Sequence, residues 1–216
     1  MRLALHFACL VRDLKGMHGD ITRGFMGFYD EEETAKDYIA LTEDYDGSLL
    51  IDVLSKHLPE HSTVLELGMG PGQDLDVLKK RYLTTGSDNS NFFLDRYRKL
   101  HPDADLLELD AVTLTTERRF DCICSNKVLH HLSPSDLRRS LARQRMLLNE
   151  GGLVLHSFWS GDGVKEMKGL TFQYYTDKAL EELFGHNFEI IDLVAYEELE
   201  EDDSFYVVAQ AKVLDK

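Results

Sequence analysis

Three glycines and two acids at fixed spacing are the residues of this chain best suited to chemistry. Gly68, Gly70 and Gly72 follow the apolar run Val64-Leu65-Glu66-Leu67, and Asp88 ends a second run, Gly86-Ser87-Asp88-Asn89-Ser90. Glycine at such a turn tolerates unusual backbone angles and lets a ligand lie against the main chain. An acid at the end of the next strand offers two acceptor oxygens to two ribose hydroxyls, a fit that Asn89 extends. An apolar strand, a glycine turn, a helix and a strand ending in an acid is how an open α/β sheet holds an adenosine-containing ligand. The turn departs from a dinucleotide fingerprint, because Gln73 stands where the third glycine of G-x-G-x-x-G belongs.

Glu66-Leu67-Gly68-Met69-Gly70-Pro71-Gly72 resembles the first motif of class I S-adenosylmethionine-dependent methyltransferases. Further segments resemble that family in its own order. They are Leu106 to Ala111, Phe120 to Asn126 with Lys127-Val128-Leu129-His130-His131-Leu132, and Leu147 to Leu155, in which Asn149-Glu150 replaces the family's Lys-Pro. The resemblance runs from residue 28 to 212 and is to the small, single-domain, ubiquinone-biosynthesis-like kind.

The resemblance implies S-adenosyl-L-methionine as cofactor and a role for each matching residue. Glu66 faces the cofactor's ammonium, or else caps the loop as a strand-end carboxylate. The backbone of Gly68, Met69, Gly70 and Gly72 lies against the methionine half and the adenosine. Asp88 and Asn89 take the ribose, or else form a turn. Asp110 and Ala111 border the adenine, or else Asp110 is a plain loop acid. Asn126 meets the ligand at the carboxyl end of its strand, and Tyr38 closes over the methionine end or simply packs. No metal is implied.

The implied reaction is in-line displacement of a methyl group from sulfonium to a small-molecule acceptor. Alignment and exclusion of water supply much of such an acceleration. A general base is needed only for a poorly ionised hydroxyl or a protonated amine. His130 and His131 are the candidates, with a structural role as the alternative. Tyr174 and Tyr175, near Trp159 and the Gly161-Asp162-Gly163 loop, either contact the acceptor or pack as a lid. Two other readings stand beside this one: a non-catalytic cofactor-binding protein or partner subunit, and an NAD-dependent oxidoreductase, which Gln73 argues against.

The elements that must position these residues follow from hydrophobic periodicity. Strands are expected near 63–67, 83–87, 105–109, 120–125 and 152–158, with helices near 72–81, 90–100, 134–148 and 176–184. Ser133-Pro134 is a good helix start. Strand–helix alternation means a parallel sheet covered on both faces. The short acidic loop Glu197 to Asp203 cannot make a parallel crossover, so Phe188 to Tyr196 and Ser204 to Lys212 form an antiparallel hairpin. The expectation is a Rossmann-like α/β fold with a seven-stranded, mostly parallel sheet. Residues 1–45 form a helical, cofactor-covering segment and residues 46–216 the main domain.

At 216 residues the chain supports one domain with a substantial core. Its net charge of −15 argues against a duplex nucleic-acid partner, which requires neutralised phosphates. One basic cluster, Arg138, Arg139, Arg143 and Arg145, reads as a solvated helix face. No apolar run approaches the ~20 residues of a membrane span. Cys9, Cys122 and Cys124 lack metal spacing, and the latter two share one strand face, so they are expected reduced in a cytoplasmic setting. Met1 to Val11 resembles a short signal-peptide apolar region without a convincing cleavage site; an upstream start or an accessory segment is the favoured reading.

Overall fold

A computed structural model describes residues 32–42, 47–167 and 170–213. The expected boundary at residues 45–46, Cys9 and the N-terminal apolar run lie outside the described residues. The chain order is α1 (Glu32–Thr42), α2 (Ser48–Leu54), β1 (Thr63–Leu67), α3 (Gln73–Leu78), β2 (Leu83–Asp88), α4 (Asn91–Leu100), β3 (Leu106–Glu108) and β4 (Phe120–Ser125). A 3-10 turn (Leu129–His131) follows, then α5 (Pro134–Leu147), β5 (Leu148–Ser160), β6 (Gly163–Met167), β7 (Leu170–Tyr175), α6 (Asp177–Gly185), β8 (Phe188–Tyr196) and β9 (Ser204–Ala211).

Five parallel strands stand in the order β3-β2-β1-β4-β5, with β9 antiparallel to β5 and β8 antiparallel to β9. These are the seven strands expected from the sequence. Among the described residues the sheet has nine, because β6 and β7 form a further antiparallel hairpin. No strand is expected from the sequence between residues 158 and 176. The alternation of Leu170, Phe172 and Tyr174 with Thr171 and Gln173 is instead a strand period, entered through a turn at Gly161 (φ 142°) and Gly163 (φ 99°).

The hairpin's position follows from register. β4 pairs with β5 only as far as Ser125↔His156, while β5 runs on to Ser160. At Trp159 one edge of β5 is taken by Ser204 of β9. β7 therefore pairs through Trp159↔Tyr174 and Ser160↔Tyr175 along the other edge, above the carboxyl end of β4. That is the end where open α/β sheets bind ligands.

Two cores flank the sheet. On one face Leu65, Leu67, Ile123, Val154 and Phe158 meet Leu137 and Leu141 of α5 and Leu180 and Phe184 of α6. On the other, Val64, Cys122, Cys124, Leu153 and Leu155 meet Leu50, Ile51 and Leu54 of α2 and Leu78 of α3. Alternate residues of one strand supply opposite faces, so β1 and β4 read as continuous apolar runs. Burying each such Leu, Ile or Val stabilises the fold by about 1.5–3 kcal/mol. Both strand cysteines are buried free thiols, and burial pushes each thiol pKa up. α5 starts where expected: the Ser133 side chain accepts from Asp136 N and Pro134 occupies the first turn.

Candidate functional site

The glycine turn between β1 and α3 can be made only by glycine. Gly68, Gly70 and Gly72 have φ of 66°, 49° and 93°, the left-handed region that costs other residues energy. A Cβ on Gly72 would stand 2.2 Å from the Tyr97 ring, and one on Gly68 2.7 Å from Val128. The turn is locked to the end of β2: Met69 N donates to Ser87 O at 2.8 Å and Gly70 N donates to Asp88 Oδ2 at 2.9 Å. Asp88 Oδ1 accepts from Ser90 N at 2.9 Å. These two bonds orient the Asp88 carboxylate. Asn89 is exposed beside it, and the Met69 side chain is turned inward over Gly86.

A second acid lies below the turn. Glu66 is 4% exposed, and its Oε2 has no hydrogen-bond partner among the described residues. Burial, followed by the charges of Asp74, Asp88 and Asp76, pushes its carboxyl pKa well above the ordinary range. Glu66, Asp74 and Asn126 line a cavity of about 20 Å³, with room for roughly one water. Asn126 Nδ2 donates to Asp74 Oδ2 at 3.1 Å, and Ser157 Oγ donates to Asn126 Oδ1 at 2.6 Å. Tyr38 of α1 stands edge-on to Phe93 at 6.1 Å, next to Gly70. Burial, then Asp74 and Asp88, push its phenol up to about 12. Sequence reasoning missed Asp74, because an acid in the first turn of a helix ordinarily just complements the helix dipole.

Asp110 and Ala111 follow β3 on the far side of Asp88. Asp110 is exposed, and its Oδ1 accepts from Val112 N at 3.1 Å and Thr113 N at 2.9 Å, so part of its role is to shape its own turn. The Ala111 carbonyl accepts from Ser140 Oγ of α5 at 2.5 Å.

The residues after β4 make a different wall. His130 is 2% exposed, with neither ring nitrogen hydrogen-bonded among the described residues. It stacks on Phe172 of β7 at 5.3 Å and lies 4.0 Å from the His131 ring. His131 Nδ1 meets Thr171 O at 2.8 Å. Burial pulls the His131 pKa down to about 4 and that of His130 well below its ordinary value. Both imidazoles are therefore neutral at neutral pH and keep a basic nitrogen. Lys127, which sequence reasoning also missed, has φ of 53°, and its Nζ donates to Phe158 O at 3.0 Å and Ser204 Oγ at 2.6 Å. That nitrogen lies 3.8 Å from the Trp159 ring centre, and burial lowers its pKa to about 7.

Tyr174 pairs with Trp159 and shares a strand face with Phe172, so all three belong to this wall. Tyr175 points the other way: it is 5% exposed and packs edge-on to Phe158 at 5.4 Å, in the core beside α6.

A cleft of about 710 Å³ lies elsewhere. It is bordered by Thr63, Leu83 and Phe120, the first residues of β1, β2 and β4, at the opposite end of the sheet from the glycine turn. The Arg118–Asp105 ion pair fills part of its rim. No group of three or more metal-ligating side chains occurs among the described residues, and no described helix is long and apolar enough to cross a membrane.

Comparison with known proteins agrees with this fold. Residues 64–152 match the family model described as a methyltransferase domain. No curated protein matches the sequence. Among solved structures, the chain resembles a S-adenosylmethionine-dependent methyltransferase from Clostridium acetobutylicum, with TM-score 0.66, 16% identity, and coverage of 83% of this chain and 98% of that one. It also resembles 1,6-didemethyltoxoflavin-N1-methyltransferase of Burkholderia thailandensis, solved with its substrate and S-adenosylhomocysteine, at TM-score 0.67, 20% identity and coverage of 83% and 87%. A third is the N-methyltransferase NodS of Bradyrhizobium japonicum in complex with S-adenosylhomocysteine, at TM-score 0.62, 14% identity and coverage of 95% and 98%. Residues 64–152 thus match a methyltransferase domain, and the chain has the class I, Rossmann-like fold seen in S-adenosylmethionine-dependent methyltransferases.

Proposed function

We propose that this protein uses S-adenosyl-L-methionine to methylate a small-molecule acceptor. The observation that carries the reading is the unpartnered, buried Glu66 oxygen beneath a glycine turn that Asp88 locks in place. A buried carboxylate oxygen without a partner is costly, and a ligand ammonium reaching it, directly or through one water, relieves that cost. Asp88 takes the ribose hydroxyls with Asn89 beside it, and the backbone of Gly68, Met69, Gly70 and Gly72 lies along the ligand. Asp110 and Ala111 border the adenine. Asn126 and Asp74 line the methionine end, and Tyr38 covers it from the N-terminal segment. When bound, the cofactor supplies a methyl group already activated on sulfonium.

This chain's own residues then hold the acceptor in line and keep water out. Trp159, Phe172 and Tyr174 offer aromatic faces for a flat or apolar acceptor. His130 and His131 are placed on this wall to accept a proton from it, although burial makes both weak bases. A small acceptor is favoured over nucleic acid because the four arginines of α5 are engaged within the protein. Arg143 donates to Leu114 O and Thr116 O, Arg145 to Lys212 O, and Arg138 and Arg139 pair with Glu182 and Asp136. The buried free thiols of Cys122 and Cys124 suit the cytoplasm.

Titration calorimetry with S-adenosylhomocysteine, and with NAD in parallel, tests the reading. Micromolar or tighter binding of the homocysteine compound alone is expected. Binding of NAD alone would restore the oxidoreductase alternative. Cofactor binding without transfer of a radiolabelled methyl group to any small acceptor would leave a binding protein.

A further inference from the structure

A buried chain of hydrogen bonds crosses the interior behind the site. Ser125 Oγ, at the end of β4, meets His156 Nδ1 at 2.8 Å, and His156 Nε2 meets Gln144 Oε1 of α5 at 2.8 Å. Gln144 Nε2 donates to Ser140 Oγ at 3.1 Å, and Ser140 Oγ donates to the Ala111 carbonyl at 2.5 Å. All four side chains are at most 3% exposed. The direction of every link is set. The Ala111 carbonyl and Gln144 Oε1 can only accept, so Ser140 gives its proton to Ala111 and His156 carries its proton on Nε2. His156 Nδ1 is then an acceptor, and the Ser125 hydroxyl donates to it. Burial lowers the His156 pKa to about 3, which keeps the ring in this neutral form across the working range. Four bonds running one way polarise one another.

The two ends of the chain are what give it meaning. One end is Ser125, whose neighbour Asn126 bonds Asp74 and Ser157 beside Glu66. The other is the peptide after Asp110. The same helix holds this loop again through Arg143, which donates to Leu114 O at 3.2 Å and Thr116 O at 2.6 Å. Leu114 itself is held at φ of 39°, a conformation that apolar residues seldom adopt unaided. A partly exposed loop has thus been given a rigid, directional anchor that reaches the centre of the sheet.

We infer that His156 is a positioning residue, which through Gln144 and Ser140 fixes the Ala111 carbonyl and so sets the Asp110–Ala111 loop for recognition of the adenine ring. The inference rests on the S-adenosylmethionine reading above. It concerns how one base is selected, and it makes His156 neither a proton donor nor a contact to the ligand.

The full chain is titrated with S-adenosylhomocysteine and with S-inosylhomocysteine, in which the adenine amino group is replaced by a carbonyl oxygen. Wild-type protein is expected to prefer the adenine compound by about tenfold, the effect of one well-placed polar contact. In His156→Phe the preference falls to threefold or less. Ser140→Ala removes the last two links, from Gln144 and to Ala111, and lowers the ratio in the same direction, which keeps the test open if His156→Phe does not fold. Asp88→Ala weakens both ligands alike and leaves the ratio unchanged. Long-range proton–nitrogen spectra are expected to show His156 as the Nε2–H tautomer and without titration between about pH 8 and pH 5. Variants that fold and keep the wild-type ratio overturn the inference, as does the opposite tautomer. Equal wild-type affinity for the two compounds also overturns it, because the loop would then read nothing. Failure of wild-type protein to bind either compound is a different outcome, and it overturns the cofactor reading itself.

Discussion

The two walls of the crevice are built on different principles. The wall at the ends of β1 and β2 is made of backbone: a glycine turn, two peptide N–H groups and the Asp88 carboxylate oriented by them. The wall beyond β4 and β5 is made of side chains, with Trp159, Phe172, Tyr174 and two histidines gathered by a hairpin added to the sheet. The first has little freedom to vary, since a Cβ at Gly68 or Gly72 collides with its neighbours. The second can change composition without disturbing the turn. A fixed cofactor and a variable acceptor would call for this division.

The walls also carry opposite titrations. The histidines of the β4–β5 region have folded-state pKa values below their unfolded ones, about 4 for His131 and about 3 for His156. Their contribution is intact above the unfolded value near 6.5 and is lost as pH falls below it, because the unfolded chain takes up protons that the folded one refuses. Between about pH 7.5 and pH 5 each should cost roughly 2 kcal/mol, so about 4 kcal/mol together. Glu66 has the opposite sign: its folded pKa is raised, so its burial destabilises the fold as pH rises above the ordinary carboxylate range. Urea melts of a Glu66→Gln variant at the two pH values isolate the histidines, because wild-type protein adds the opposing contribution of Glu66 over the same range. A variant whose stability does not drop on acidification would mean that these imidazoles do not face the environment described.

Gly72→Ala attacks the backbone wall directly. It combines φ of 93° with a contact of 2.2 Å to the Tyr97 ring, and left-handed strain plus overpacking should destabilise the protein by about 3 kcal/mol. Denaturant titration reads the loss. A Gly72→Ala protein as stable as wild type would show that the turn is less tightly enclosed than it is described.

Asp88→Ala is gentler on the fold and harsher on the ligand. It removes the acceptor of Gly70 N and the proposed partner of the ribose, so affinity for S-adenosylhomocysteine should fall by about 1.5–3 kcal/mol. Unchanged affinity in calorimetry would transfer the ribose role to another acid.

The contrast between the walls also explains what could be read in advance. Gly68, Gly70, Gly72 and Asp88 were legible because backbone geometry restricts residue type at fixed spacing, and because parallel alternation fixes where the second strand ends. The terminal hairpin β8–β9 was legible from the length of one loop. The other wall depends on register. Whether Tyr174 or Tyr175 faces Trp159 is decided by the pairs Trp159↔Tyr174 and Ser160↔Tyr175, and a shift of one residue would exchange them. Lys127 gave no signal because its role arises from groups up to 77 residues away, at Ser204 and Phe158. Asp74 was hidden by an equally good local explanation at a helix start.

Trp159→Ala separates the walls with the smallest expected effect. Trp159 lies on β5, which β4 separates from β1 and its glycine turn, so affinity for S-adenosylhomocysteine should stay within about twofold of wild type, the scatter expected of independent sites. Its ring stacks under Lys127 Nζ at 3.8 Å and borders His130 at 6.4 Å. Removing it takes one aromatic face from the acceptor and one cation–π partner from the lysine, each worth about 1 kcal/mol. For an acceptor that supports turnover, KM should rise roughly tenfold, about 1.4 kcal/mol, with a smaller change in kcat, the pattern of lost ground-state binding. A fall in kcat with KM unchanged would place Trp159 in alignment of the reacting groups instead. A matching fall in cofactor affinity would mean that the two walls are one structure, and the division drawn between them would fail.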